Sequence, residues 1–487
     1  MGSDGSSANA LPEGVVSILD TDLYKLTMQC CVLKYFPDVH VTYSFTNRTP
    51  HMRFTRAAYR WLQAQIDKLA NITLSDDELR YLESTCPYLT KPYIDYLSKF
   101  RFYPERQIQL SFKADDDTGA DTDVGDLGLH TEGLWVETIL YEIPLLALIS
   151  EAYFKFCDKD WNYDGQLEKA RHKGAQLLKN GCIFSEFGSR RRRDYHTQDL
   201  VLQGLTQAAK EGQDKGHEGK LSGTSNVHFA MKYGIPPVGT VAHEWFMGIA
   251  AITNDYENAN ETALRYWVGT FGEGVLGIAL TDTFGTPAFL RAFTKPIPAY
   301  TTAVQGAATT SASSGATETC DTDTQPPIAA PTTADGQRDL PTYARVFTGV
   351  RQDSGDPRGF IKMMREFYDS QGIKDKKAIV FSDSLNIELC LEYKQLAEAE
   401  GFQPTFGVGT FLTNDYERTS TGQKSVPLNI VIKIASAAGR PAIKISDNIG
   451  KNTGDKEKVA EVKRRLGYVE KTWEGGDERT RWGTSTT

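Results

Sequence analysis

Paired cysteines are missing from this 487-residue chain: it holds seven cysteines, none in a Cys-x-x-Cys spacing. An odd, unpaired set argues against a disulfide framework and a structural zinc site, and for a reducing, cytoplasmic or additionally nuclear, setting. Long apolar runs are missing too. The best stretch, Ile143 to Ile149, falls far short of the ~20 residues that cross a bilayer, which excludes a membrane partner of that kind. Met1 to Ala10 has neither a basic nor an apolar region, so it does not read as a signal peptide. Gly2 and Ser6 formally fit a myristoylation pattern, but a flexible tail explains the same residues. Positive charge is in deficit, 54 Lys+Arg against 63 Asp+Glu, for a net charge of -9. Such a surface repels nucleic acid and anionic membranes, so an anionic ligand requires a local basic patch. There is no P-loop, because Gly219-Lys220 is followed by Leu221. Gly272-x-Gly274-x-x-Gly277 follows a helical pattern and precedes a strand, the reverse of the order a dinucleotide fingerprint needs.

What is present suits a soluble globular protein: 40% hydrophobic and 24% charged residues, and a length that allows two or three compact units. Asp22 to Tyr35 reads as a helix capped by Thr21 or Asp20, Val39 to Phe45 as a strand, and Ser75 with Glu78 as a capping box. The acidic segment Ala114 to Asp126 reads as a solvated hairpin tip. Further on, one unit recurs: a short apolar run, a polar turn, then a helical segment. The runs are Cys182 to Phe187, Lys220 to Ser222, Pro237 to Val241, Val275 to Leu280, Arg345 to Val350, Ala378 to Phe381 and Pro404 to Val408. A series of β-turn-α units means a parallel sheet covered by helices, and without a Rossmann fingerprint a closed barrel is the expected form. Its turns then gather on one face. Thr301 to Gly336, rich in Ala, Thr, Ser and Pro and without Lys, Arg or aromatics, reads as a disordered insertion. Apolar alternation resumes at Asn429 to Ile434 and Ala442 to Ser446, before a charged helical tail that packs back on the first domain. The expected domains are residues 11–165 with 428–487, and a barrel over 166–427 carrying the 301–336 insertion.

The turns carry the chemistry. Four arginines follow the first barrel strand. Arg190, nearest its end, suits a carboxylate or phosphate, whereas Arg192 and Arg193 read as a solvated face. Arg351-Gln-Asp353-Ser-Gly-Asp356-Pro puts a cation and two carboxylates in one turn, more than a cap with Pro at the first helical position requires. Asp282 and Asp383 repeat this at two strand ends, where capping is the competing explanation. Gly407-Val-Gly409-Thr410 offers backbone N–H groups to a phosphate. His243, beside Glu244, could act as nucleophile or general base, or be an ordinary histidine in a first helical turn.

In chain order, Thr21-Asp-Leu-Tyr24-Lys-Leu-Thr-Met28, Phe184-Ser-Glu-Phe187-Gly-Ser-Arg190-Arg, Gly223-Thr-Ser225-Asn, Gly239-Thr240-Val-Ala-His243-Glu-Trp, Leu280-Thr-Asp282-Thr-Phe-Gly285-Thr, Gly349-Val-Arg351-Gln-Asp353-Ser-Gly-Asp356-Pro and Phe406-Gly-Val-Gly409-Thr410 closely resemble the nicotinate phosphoribosyltransferase family, the fungal enzymes above all. The resemblance runs from about Leu11 to Thr453. It implies an irregular α/β barrel of the type II phosphoribosyltransferase kind with a smaller α/β domain built from both chain ends, in a homodimer with shared sites. It implies that nicotinate and 5-phosphoribosyl 1-pyrophosphate yield nicotinate mononucleotide and pyrophosphate, the entry from nicotinate to NAD. ATP hydrolysis would be coupled through a phosphorylated histidine, His243, with Mg²⁺. By the same likeness Phe187 and a neighbour's Tyr24 sandwich the pyridine ring, and Thr240 and Arg351 contact nicotinate. Arg190, Asp383, Gly407, Gly409 and Thr410 hold phosphoribosyl pyrophosphate, and Asp282 and Asp353 hold ribose hydroxyls or Mg²⁺. Ser225 stands where nicotinamide-using relatives carry Asp, so it favours an acid over an amide. A nicotinamide or quinolinate enzyme, and a non-catalytic metabolite-binding paralogue, are the competing readings. The 301–336 insertion is the departure from the family's pattern.

Overall fold

The computed structural model of the chain describes residues 11–298, 340–448 and 451–469. In chain order its strands are β1 (His40–Asn47), β2 (Phe54–Thr55), β3 (Ile108–Ala114), β4 (Val124–Leu134), β5 (Ile183–Glu186), β6 (Lys220–Thr224), β7 (Ile278–Leu280), β8 (Gly349–Gln352), β9 (Ala378–Phe381), β10 (Gln403–Val408), β11 (Tyr416–Glu417), β12 (Lys424–Ser425), β13 (Ile430–Ala437) and β14 (Arg440–Pro441).

One sheet draws on both chain ends. Its order is β14-β13-β1-β4-β2 with β3 on β4, and β1 runs antiparallel to β13 from Val41↔Ala437 to Asn47↔Ile430. This pairing is what carries the C-terminal segment back to the start of the fold. The capping box at Ser75 opens the helix Asp76–Thr85 as expected, and the Ile143 to Ile149 run lies inside the buried helix Glu142–Phe156. Among the described residues no helix is long and apolar enough to cross a membrane. The acidic hairpin tip between β3 and β4 is held rather than merely solvated: Asp123 accepts from Thr118 N (3.1 Å), Gly119 N (2.9 Å) and Arg56 Nη2 (3.0 Å).

The second sheet is parallel, in the order β6-β5-β10-β9-β8-β7. Six of the seven expected runs form its strands. The seventh, Pro237 to Val241, forms none, since Pro237 and the preceding Pro236 deny its start ladder donors. It lies instead between the two sheet edges, where Val238 N donates to Thr224 O (2.8 Å) beyond β6 and Thr240 Oγ1 donates to Ile278 O (3.2 Å) of β7. An irregular segment thus bridges β6 and β7, an arrangement consistent with an irregular α/β barrel. Strand boundaries also move: Tyr343–Val346 is a short helix and β8 begins at Gly349, whereas Ala442 to Ser446 forms no strand, only a Lys444↔Thr453 bridge. The Gly272 to Gly277 pattern does follow a helix, Ala259–Phe271, and precede β7.

The first helix is Leu23–Tyr35, and neither Thr21 nor Asp20 caps it. Asp20 is instead buried in a bidentate pair with Arg192, whose Nη1 and Nη2 each lie 2.7 Å from a carboxylate oxygen. Arg193 is buried as well, donating to Asn414 Oδ1 (2.9 Å) and Ser425 Oγ (2.6 Å) with its guanidinium 3.9 Å from the Phe154 ring and 4.1 Å from that of Tyr416. The solvated face expected for Arg192 and Arg193 is therefore corrected. A guanidinium can be buried when its fork meets a carboxylate or its plane meets aromatic rings.

The insertion expected at 301–336 lies outside the described residues, but its flanks are joined: Ile297 N donates to Pro341 O (2.9 Å) and Tyr343 N to Lys295 O (3.2 Å). A loop that leaves and returns at one point adds closure entropy, which grows only slowly with length. Replacing residues 301–336 by a short Gly/Ser linker is expected to leave the melting temperature within about 1 °C of the parent in a calorimetric scan, a shift corresponding to about 1 kcal/mol for a chain of this size.

Candidate active site

A cavity of about 670 Å³ opens over the C-terminal ends of the parallel strands. It collects Tyr24, Phe187, Arg190, Ser225, Thr240, His243, Arg351, Asp353, Asp383, Gly407, Gly409 and Thr410 on its wall. Asp282 lies immediately behind, its Oδ1 3.7 Å from His243 Nε2. Every residue singled out from sequence is thus brought to one place.

At the aromatic end, Phe187 follows β5 and its N–H bonds to Val408 O (2.8 Å). Gly407 of β10 has a structural reason of its own: a Cβ there would stand 2.3 Å from the Phe187 ring, so only glycine lets the ring lie on the strand. Tyr24, expected from a neighbour, also lines this cavity of its own chain. The cause lies at the helix start. Leu23 N donates to Ser225 O (2.8 Å), Val227 N to Thr21 O (2.9 Å), and Ser225 Oγ to Asp22 Oδ1 (2.7 Å). These bonds pin the first helix to the end of β6. They also qualify the reading of Ser225, whose hydroxyl is engaged by a carboxylate, Asp22, that itself lines the cavity. Burial pushes the Asp22 carboxyl above its usual range, against the Ser225 and Ser189 hydroxyls and Arg190. Lys25, fully buried, pairs with Glu142 (2.5 Å) and with Glu244, which also accepts from Trp135 Nε1 (2.9 Å); Glu142 in turn lies 3.7 Å from Arg190.

The ionic end centres on His243, the first residue of the helix His243–Thr253. Its Nδ1 is 2.9 Å from Thr283 Oγ1, and its Nε2 lies 2.8 Å from Lys444 Nζ and 3.0 Å from Asp353 Oδ2. Burial, then the Lys444 ammonium, push the ring down to about 4 despite both carboxylates. A neutral ring beside an ammonium that can only donate is satisfied with the Nε2 lone pair toward Lys444 and Nδ1–H toward Thr283. Burial would raise Asp282, but Lys444 (3.3 Å) and His243 outweigh it and hold the carboxyl below its ordinary range. Asp353, against the same burial, is held well below by Arg351, His243 and Lys444. Neither acid is a helix cap, whereas Asp356 is one, accepting from Arg358 N and Gly359 N (both 3.0 Å). Arg351 Nη1 donates to Val241 O (3.2 Å), and its Nε is buried without a hydrogen-bond partner.

Sequence reasoning missed Arg48, Lys433, Lys444 and Lys451, all on the cavity wall. Burial, then Lys444, Arg48 and Lys451, press the Lys433 ammonium well below its ordinary range, as expected where cations gather around the place of an anion. Lys451 reaches Asp383 at 2.9 Å. Their only signal was lysine inside otherwise apolar segments, Ile432-Lys433-Ile434 and Ile443-Lys444-Ile445. His243, Asp282 and Asp353 offer three ligand atoms within 4.8 Å of one another. The two carboxylates suit Mg²⁺ completed by substrate oxygens, and Asp282 Oδ1 is buried without a hydrogen-bond partner. The donor set therefore fits, although Lys444 already stands beside it.

Aromatic residues at one end, and cations interleaved with carboxylates at the other, on the strand ends of a parallel sheet, suit a planar ring and a phosphorylated sugar. Two family models match: the nicotinate phosphoribosyltransferase N-terminal domain over 19–150, and the nicotinate phosphoribosyltransferase family over 182–306 and 328–470. The chain belongs to the nicotinate phosphoribosyltransferase family. The second match breaks inside the low-complexity run. Nicotinate phosphoribosyltransferase of Saccharomyces cerevisiae is 44% identical over 473 residues, 96% of this chain and 99% of that protein. That of Methanosarcina mazei is 36% identical, over 91% of this chain and 96% of its own. Among solved structures, a Saccharomyces cerevisiae protein superposes with a TM-score of 0.81 at 42% identity, covering 94% of this chain and all (100%) of its own. Nicotinate phosphoribosyltransferase of Porphyromonas gingivalis gives 0.74 at 33%, covering 93% and 100%.

The depressed His243 pKa carries a stability signature. Unfolded, the ring binds a proton below about pH 6.5; folded, it does so only near 4, so stability falls as pH drops through that window. Urea unfolding at pH 7 and pH 5 should show wild type losing about 2 kcal/mol more than His243→Gln. An equal loss in both would remove His243 as the cause.

Proposed function

We propose that this cavity transfers the phosphoribosyl group of 5-phosphoribosyl 1-pyrophosphate to the ring nitrogen of nicotinate, releasing pyrophosphate, with ATP hydrolysis coupled through phosphorylation of His243. The observation that carries the reading is the placing of an aromatic pair and an ionic cluster in one cavity, within one chain. Tyr24 and Phe187 sandwich the pyridine. Thr240 and the unpartnered Arg351 Nε–H take the ring carboxylate, a bond that an amide would make only in part. Arg190, Gly409 and Thr410 hold the 5′-phosphate.

Departure of pyrophosphate leaves positive charge on the anomeric carbon. Asp282 and Asp353, held ionised by Lys444 and Arg351, stabilise that charge and the ribose hydroxyls. Arg48, Lys433, Lys444 and Lys451 receive the leaving pyrophosphate, and its arrival returns Lys433 toward an ordinary ammonium. Asp282 and Asp353 would hold Mg²⁺, which supplies further neutralisation of the phosphates. His243, neutral at physiological pH, attacks the γ-phosphorus of ATP with expulsion of ADP, and the phosphoryl group is later lost to water. A phosphohistidine beside Lys444 and Asp353 changes the charge at the pyrophosphate end. Tyr24 and Phe187 line one cavity of a single chain, which supports a site formed without the homodimer that the resemblance implied.

Nicotinate mononucleotide should accumulate, by mass, only with nicotinate, phosphoribosyl pyrophosphate and the protein together, and faster with ATP; nicotinamide should compete poorly. His243→Ala should abolish acid-labile label from γ-labelled ATP. Retention of that label would remove the phosphohistidine, and total inactivity of the folded wild type would favour the non-catalytic paralogue. Mixing Tyr24→Ala with His243→Ala should give no more activity than the two apart. Restored turnover would put Tyr24 back into a neighbour's site.

A further inference from the structure

The segment between β14 and the helix Lys456–Leu466 has a single bridge, Lys444↔Thr453, for secondary structure among its described residues. It nevertheless delivers Lys444 to within 2.8 Å of His243 and Lys451 to within 2.9 Å of Asp383. A stretch so poor in ladder bonds must be held by something else. Its own polar groups are committed to the turns after β7 and β8. Ile445 N donates to Thr283 O (2.8 Å), Ser446 Oγ to Ser354 Oγ (2.9 Å), and Asp447 N to the same Ser354 Oγ (3.0 Å), while Ser354 donates to Asp282. Gly355 N donates to Asn448 Oδ1 (2.6 Å). Ser446 takes a left-handed conformation, φ 69°, which turns the chain so that these groups face the strand ends.

The end of this chain of contacts is a carboxylate. The helix Thr286–Phe293 starts at Gly285, which has no side chain to cap it. Asp447 takes that role from 161 positions away in sequence, accepting from Thr286 N (3.0 Å) and Thr286 Oγ1 (2.5 Å). It meets the positive end of the helix, where a carboxylate is favoured. We propose that Asp447 is a positioning residue for the transfer reaction: by capping the helix after β7 it anchors the terminal segment and so sets Lys444 against Asp282 and His243. Asp447 acts through Lys444 and Ser354 and touches no substrate. The inference rests on the reading that Lys444 faces the reacting phosphates.

The test is a double-mutant cycle in the full chain, with kcat, KM for phosphoribosyl pyrophosphate, KM for nicotinate and melting temperature read for each protein. Asp447→Ala is expected to lower kcat/KM for phosphoribosyl pyrophosphate about 10-fold with KM for nicotinate within about 2-fold, and Asp447→Asn, which keeps an acceptor for Thr286 N, should recover most of it. In a Lys444→Met background, Asp447→Ala should cost less than about 2-fold more, because the residue it positions is gone. The same 10-fold loss in both backgrounds would make Asp447 a cap and nothing more, and no loss from Asp447→Ala would end the proposal. A Lys444→Met protein with wild-type turnover would instead overturn the reading of the site, and this inference with it. Tyr256→Phe, which removes the bond to Pro441 O (2.6 Å), controls for general loosening of the segment and should leave the kinetic constants unchanged. Should Asp447→Ala not fold, Thr286→Ala removes one of the two bonds and should show the same non-additivity at about 3-fold.

Discussion

Lys444 is the charge on which the site depends. Its ammonium lies 2.8 Å from His243 Nε2 and 3.3 Å from Asp282 Oδ2, and Asp353 Oδ2 lies 3.0 Å from the same Nε2. At ~3.3 Å and an effective dielectric near 20, each opposite-charge pair is worth about 5 kcal/mol of gross attraction. That is enough to overcome the burial that would otherwise protonate the carboxylates, and both are indeed held below their ordinary range. The same ammonium keeps the imidazole neutral. Lys444, with Arg351 the foremost influence on Asp353, therefore leaves two acids ionised and one base unprotonated, and this is the combination that stabilising a sugar cation and accepting a phosphoryl group both call for.

Lys444 comes from neither the barrel nor its loops. It arrives because β13 returns to pair with β1 across almost the whole sequence, so the smaller sheet supplies the barrel's cations: Arg48 after β1, Lys433 on β13, Lys444 and Lys451 beyond β14. The barrel contributes the complementary set of Asp282, Asp353 and Asp383. A chain with a net charge of -9 can bind polyanions because its cations are concentrated where the two units meet and its excess acid lies elsewhere, as on the hairpin tip around Asp115 to Asp126. Whole-chain charge describes the outer surface and says little about such a seam.

Much of this was legible in the sequence, because βα turns announce themselves. Short apolar runs ending in Gly, Ser, Thr and Asp placed Phe187, Arg190, His243, Asp282, Asp353, Asp383 and Thr410 on one face, and the motif order carried the family. What escaped notice depends on partners far apart in the chain. Arg192 and Arg193 look like any surface basic run until Asp20, Asn414 and Ser425 are set beside them. Pro237 to Val241 has the composition of a strand but lacks the donors to be one, so it bridges two sheet edges through a backbone bond and a threonine hydroxyl. The bonds between Thr21 to Leu23 and Ser225 to Val227, which bring Tyr24 to the cavity of its own chain, likewise join residues about 200 positions apart. Lys433 and Lys444 carried a faint mark, a lysine flanked by isoleucines, which becomes meaningful only when the facing carboxylates are known.

Assembly of the site is consequently a global event. The first helix brings Tyr24 and Asp22 to β6, and the last segment brings Lys444 and Lys451 to β7, β8 and β9, so the barrel alone would present Asp282 and Asp353 close together with only Arg351 nearby to offset them. Like charges at such separations oppose one another, and burying both without the ammonium would favour the protonated form of one. Without its docked ends the chain would lack Tyr24, Lys444 and Lys451 at the site. The same contacts that complete the smaller sheet therefore allow the strand-end carboxylates to be buried and still ionised, the state that the chemistry uses.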